Sequence, residues 1–197
     1  KSANLVVTYV GWHTPHTLAV GGNTQDRQTK MTVDEAIDKQ ETLDFLKVAA
    51  EYCLFVENED SKGIEFCSKA RQVLARLYLT AIHLPEVSVT TNNEFDNNVT
   101  DEQQQSIITK LADNFGGKRF YWDTFDPMDE SDKDSVCYDL VDDLADIYID
   151  IKSCFMTYHQ GTIEAKEHGL WELKFTFNTH WGRHSISALR ALHSIMT

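Results

Sequence analysis

The sequence predicts an all-α, single-domain bundle of five or six helices behind a non-helical N-terminal extension. Three observations carry this. Apolar residues recur at spacings of three and four from residue 31 onward. No alternating strand pattern appears after that point. The 197 residues, 42% hydrophobic and 25% charged, suit one domain with a core that needs no disulfide or metal staple.

Residues 1–30 read as an extension or leader outside the core, and 31–197 as the helical domain. The stretch YVGWHTPHTLAVGGNTQDRQTK carries Pro15, Gly21 and Gly22 and no sustained period, with NLVVTYV as a possible short strand. At Met31 the pattern changes. Thr32 and Glu35 have capping-box spacing. A first helix is expected from Val33 to Glu59, with Leu43, Leu46, Ala50, Cys53 and Leu54 as its stripe. A second should open near Gly63 and stop at Leu84, before Pro85, burying Phe66, Ala70, Val73, Leu77, Ala81 and Leu84.

A polar loop follows. Thr100 and Gln103 form a second capping box, for a short helix ending at Gly116–Gly117. The segment KRFYWDTFDPMDESDKDS reads as a long connection pinned to the bundle by Phe120, Tyr121, Trp122 and Phe125. The fourth helix is expected from Val136 to Gln160. The last helical stretch, Thr162 to Met196, should kink or break near Gly182.

The net charge is −13, and residues 85–150, with 17 acids and 4 bases, hold the whole excess. Such a surface repels phosphate backbones and argues against nucleic acid, while it attracts cations or basic partners. No apolar run reaches the ~18 residues of a membrane span, and the start lacks signal-peptide features. The four cysteines are scattered among apolar residues without metal or disulfide spacing. A cytoplasmic protein with reduced thiols is expected.

Twelve residues, DLVDDLADIYID, hold five aspartates. At ~100° per residue, Leu140, Leu144, Ile147, Ile151, Phe155 and Tyr158 form one stripe about 80° wide, and Asp139, Asp142, Asp146 and Asp150 lie nearly opposite. Asp143 alone sits beside the apolar edge. The expectation is that these charges face outward, since an unpaired buried carboxylate is costly. Val141, Ala145, Tyr148 and Ile149 make the helix apolar on a second side, leaving a narrow wet strip.

The run DDLADIYIDI resembles the second acidic helix of all-α nucleoside triphosphate pyrophosphohydrolases of the MazG kind. That resemblance implies Mg²⁺ held by Asp143 and Asp146 together with an earlier acidic pair, for which Glu57 and Asp60 are the candidates. These two end their helix and lack the double-Glu run that opens the family motif. His180 and His184 have the i, i+4 spacing of paired metal ligands, with a carboxylate needed from another helix, Glu164 or Glu167. The structural alternative is ordinary helix-end histidines, as for His83, His159 and His193. No nucleophile elbow, Cys–His pair or calcium-hand spacing occurs.

Two pairs of segments, ADIYIDIKSCFMTYHQG with WELKFTFNTHWGRHSISALRALHS, and EYCLFVEN with VLARLYLTAIHLPE, together resemble a bacterial family of all-helical proteins known only as a domain of unknown function. The similarity spans about Met31 to Met196. It implies an intracellular helical domain with no assigned cofactor, partner or site residue. The function expected is a non-catalytic binding or scaffold module that contacts a protein partner through its acidic middle section or the face around Trp122 and Trp181. The alternative is the Mg²⁺-dependent pyrophosphohydrolase.

Overall fold

The computed structural model describes residues 33–197 apart from 92, 94, 96–98, 125–127, 130, 132 and 133. The Thr32 cap, the N-terminal extension and Phe125 lie outside the described residues. The mostly helical fold expected from the periodicity is found, with seven helices and one small sheet among the described residues.

The first predicted helix is two: α1 (Val33–Ile37) and α2 (Gln40–Asn58), separated at Asp38–Lys39. The buried face of α2 is Thr42, Phe45, Val48, Ala49, Tyr52, Cys53 and Val56. The expected stripe was rotated by about one residue, and Leu43 and Leu54 are exposed. The aromatic rings decide the phase. Phe45 packs on Trp181 at 6.2 Å, and Tyr52 donates its hydroxyl to the carbonyl oxygen of Leu144 at 2.7 Å. Leucines are left outside so that larger rings are covered.

Helix α3 (Gly63–Ile82) buries Phe66, Ala70, Val73, Leu77 and Ala81 as its spacing predicts, and ends two residues before the expected Leu84, which is buried beyond the helix. Helix α4 (Asp101–Phe115) starts at the Thr100–Gln103 capping box, with both reciprocal bonds present, and Gly116 takes a positive φ at its end.

The connection that follows is a hairpin, which the sequence reading missed. Strand β1 (Phe120–Thr124) pairs antiparallel with β2 (Ser135–Asp139), Tyr121 opposite Tyr138 and Trp122 opposite Cys137. The fourth predicted helix therefore starts later, as α5 (Leu140–Tyr158), because Asp139 ends β2 and caps the helix, its carboxylate accepting from the Val141 N–H at 3.0 Å. Of the aromatics expected to pin the connection, Tyr121 does so, half-buried against Tyr138. Phe120 and Trp122 do not; they stand exposed on the outward face. Cys137, expected among apolar neighbours in a helix, is exposed on β2, whereas Cys53, Cys67 and Cys154 are buried.

Helix α5 is the central element. It packs against α2, α4, α6 (Ile163–Thr179) and α7 (Trp181–Met196). Leu140, Leu144, Ile147 and Ile151 are fully buried, and Val141, Ala145 and Tyr148 bury its second side. Helix α6 lies close enough to α5 that a Cβ at Gly169 would stand 3.0 Å from the Cys154 carbonyl oxygen. The chain breaks between α6 and α7 at His180, φ −138° and ψ −87°, two residues before the expected Gly182. Gly182 lies in the first turn of α7, where a Cβ would come within 2.2 Å of the Phe177 carbonyl oxygen. Its lack of a side chain is what lets α7 fold back so tightly. Trp181, expected at a contact face, is instead fully buried against Phe45 and Phe177.

Candidate functional site

The start of α7 lies against α5, and this crossing covers part of the aspartate face that was expected to look outward. Asp143 is 3% exposed. Asp139 and Asp150 are also largely covered, Asp146 is partly exposed and Asp142 is exposed. The helical wheel placed charges opposite the α5 stripe correctly. It did not show that α7 and the hairpin cover that side as well.

A buried carboxylate needs partners, and Asp143 has two. Tyr121 donates its hydroxyl to Oδ2 at 2.6 Å, and His184 Nδ1 lies 2.8 Å from Oδ1. Two turns on along α5, Asp150 Oδ2 lies 2.7 Å from His180 Nδ1. Ionised carboxylates only accept, so Nδ1 is the donor in both pairs, and in a neutral ring that leaves the lone pair on Nε2. The two rings meet edge to face with centroids 4.9 Å apart. Asp146 lies next to them, its Oδ2 3.7 Å from His184 Nε2. One donor atom each from Asp146, His180 and His184 lies within 4.8 Å of the others.

The electrostatics follow from this crowding. The hydrogen bond to Asp150 raises the pKa of His180, and the charge of Asp146 adds to the rise. Burial raises Asp146, opposed by the two histidines. Burial, then the charge of Asp143, holds the Tyr121 phenol far above its usual range. Asp142 is pushed up to about 6 by desolvation, then by Asp139, Asp146 and Asp143.

The other acids singled out from sequence go elsewhere. Glu57 accepts from Tyr148 at 2.9 Å and Lys152 at 2.6 Å, and Asp60 pairs with Lys110 at 3.3 Å. The two acidic pairs of the pyrophosphohydrolase pattern, Glu57–Asp60 and Asp143–Asp146, do not converge among the described residues. Glu167 is buried and accepts from Thr90 at 2.7 Å. Glu164 begins α6, about 24 Å of helix away from His180. The carboxylate that joins the two histidines is Asp146, a metal candidate from sequence in the pyrophosphohydrolase pattern and not in connection with them. The i, i+4 histidine spacing was legible. Tyr121 was legible as a pinning aromatic, but its bond to Asp143 carried no signal, because its segment reads as a loop.

Beside this cluster lies the hairpin's outward face, where Phe120 and Trp122 are 57% and 67% exposed. Arg119 places its guanidinium 4.8 Å over the Phe120 ring, and Arg190 ties the inner side down through Asp123 at 2.6 Å and the Trp122 carbonyl at 3.1 Å.

The fold and site together define a mostly helical domain with a carboxylate–histidine cluster at the crossing of two core helices. The chain belongs to the family described as Domain of unknown function (DUF5063), whose model matches residues 36–197. It is similar to the crystal structure of protein BF1032 from Bacteroides fragilis, a structural-genomics target, at 28% identity and a TM-score of 0.72, over 82% of this chain and 96% of that one. No curated protein matches the chain. No described helix is long and apolar enough to cross a membrane.

Proposed function

We propose that the protein is a non-catalytic binding module that takes a protein segment on the outward face of its hairpin. The observation that supports this is the placement of Phe120 and Trp122. They stand two apart on one face of a two-stranded sheet, exposed, where side chains of that size are ordinarily covered. Trp and Phe supply large rigid contact area at interfaces. Trp181 has no part in this surface, being buried. The charge of residues 85–150 favours a partner with basic side chains, and Arg119 over Phe120 shows the stacking such a partner would use. Main-chain groups along the strands offer further pairing, as in β-strand addition. A cytoplasmic setting is part of this reading, supported by four free cysteines.

The Mg²⁺-dependent pyrophosphohydrolase has no comparable support, since Glu57 and Asp60 are held by lysines. The test is site-specific photo-crosslinking in cells. A photoreactive residue at Trp122 should give a discrete protein adduct, and one at the exposed Leu54 should not. Equal or absent crosslinking at the two positions overturns the reading.

A further inference from the structure

We propose that Asp146, His180 and His184 form a binding site for one divalent transition-metal ion of the zinc type. The site is separate from the hairpin surface and does not depend on it.

The donor set comes first. Two imidazoles and one carboxylate suit Zn²⁺, Co²⁺, Ni²⁺ or Fe²⁺, whereas Mg²⁺ and Ca²⁺ take oxygen ligands. Distance comes second. Donors around a tetrahedral zinc with bonds near 2.0–2.1 Å stand about 3.3 Å apart. His184 Nε2 and Asp146 Oδ2 are at 3.7 Å, and the whole set is within 4.8 Å. Side-chain rotations of about an ångström close that gap.

The surroundings are the third and strongest argument. Metal-binding histidines almost always donate their other ring nitrogen to a carboxylate or carbonyl, which fixes the tautomer and aims the lone pair. Both histidines are arranged so: His184 Nδ1 on Asp143, His180 Nδ1 on Asp150. Asp143 is itself oriented by Tyr121. A plain acidic cluster, or two histidines that only cap helix ends, would not need this double backing. His180, His184 and Asp146 are partly exposed, so an ion can enter without opening the core, and three protein ligands leave room for water. The local charge agrees. Three carboxylates, those of Asp143, Asp146 and Asp150, stand beside the two imidazoles, as a cation requires.

The test is a titration of tag-free protein with Co²⁺, read by its visible d–d absorption, followed by displacement with Zn²⁺. The expected result is saturation at one ion per chain, a higher Tm in Zn²⁺, and no response to Mg²⁺ at equal concentration. Asp146→Asn and His180→Ala, both at partly exposed positions, should each weaken binding at least tenfold. Asp143→Asn should weaken it about 10–100-fold by disturbing the backing of His184. Asp60→Asn should leave it unchanged. Circular dichroism checks that each variant is folded; should His180→Ala lose its helix, Asp146→Asn carries the test. No saturable Co²⁺ binding, or binding indifferent to both Asp146→Asn and His180→Ala, overturns the proposal.

Discussion

The Tyr121 hydroxyl lies 2.6 Å from the Asp143 carboxylate and joins a hairpin strand to the central helix at its most buried charge. Hydrogen bonds to charged groups contribute about 1.5–3 kcal/mol. Tyr121→Phe should therefore lower Tm by about 3–10 °C. In an Asp143→Ala background the same change should cost much less. Thermal denaturation of the four-member cycle measures the coupling, which should exceed about 1 kcal/mol.

Gly182 sits where a methyl group would meet the Phe177 carbonyl 2.2 Å away. That oxygen is backbone and cannot swing aside. Gly182→Ala should destabilise by about 3 kcal/mol or more, despite the better helix propensity of Ala. Chemical denaturation reads the loss. A neutral or stabilising result would mean that α6 and α7 do not cross as described.

Asp142 has a folded pKa of about 6 against an ordinary 3.8. The native state therefore holds this proton more tightly than the unfolded chain does. The stability it contributes is fully present below about 3.8 and is lost as pH rises through about 6. The groups facing it are Asp139, Asp143 and Asp146, opposed by Arg119. Glu59 acts in the opposite sense. The Ser61 N–H, then Lys69, hold it down at about 2, so its contribution is lost as pH falls through that value. Asp142→Asn should raise Tm at pH 8 by about 1 °C and by less at pH 5. Calorimetry at the two pH values decides it.

The Thr100 cap closes two backbone donors of α4, one through its hydroxyl and one through Gln103. Thr100→Ala should cost about 1 kcal/mol. Hydrogen exchange should show the loss concentrated in the first turn of α4, with α5 unaffected.

Local physics made much of the fold readable. The α3 stripe, the Thr100 capping box and the glycine end of α4 depend on residues within one or two turns of each other, so they appear in the chain itself. The α2 face was read one residue out of phase because rings from α7 and a carbonyl from α5 select it. The hairpin was missed because β2, SVCYD, has no alternation of burial to read; three of its five residues are exposed.

The sequence alone determined a mostly helical, acidic chain, the four-residue spacing of His180 and His184, and the crowding of aspartates onto one helix. Only the tertiary structure decided which acid joins those histidines and which acid is buried. The physical reason is that the spacing of residues along one helix sets which of its faces they share. The neighbour that covers a face, here α7 and the hairpin over α5, is chosen by packing between segments tens of residues apart.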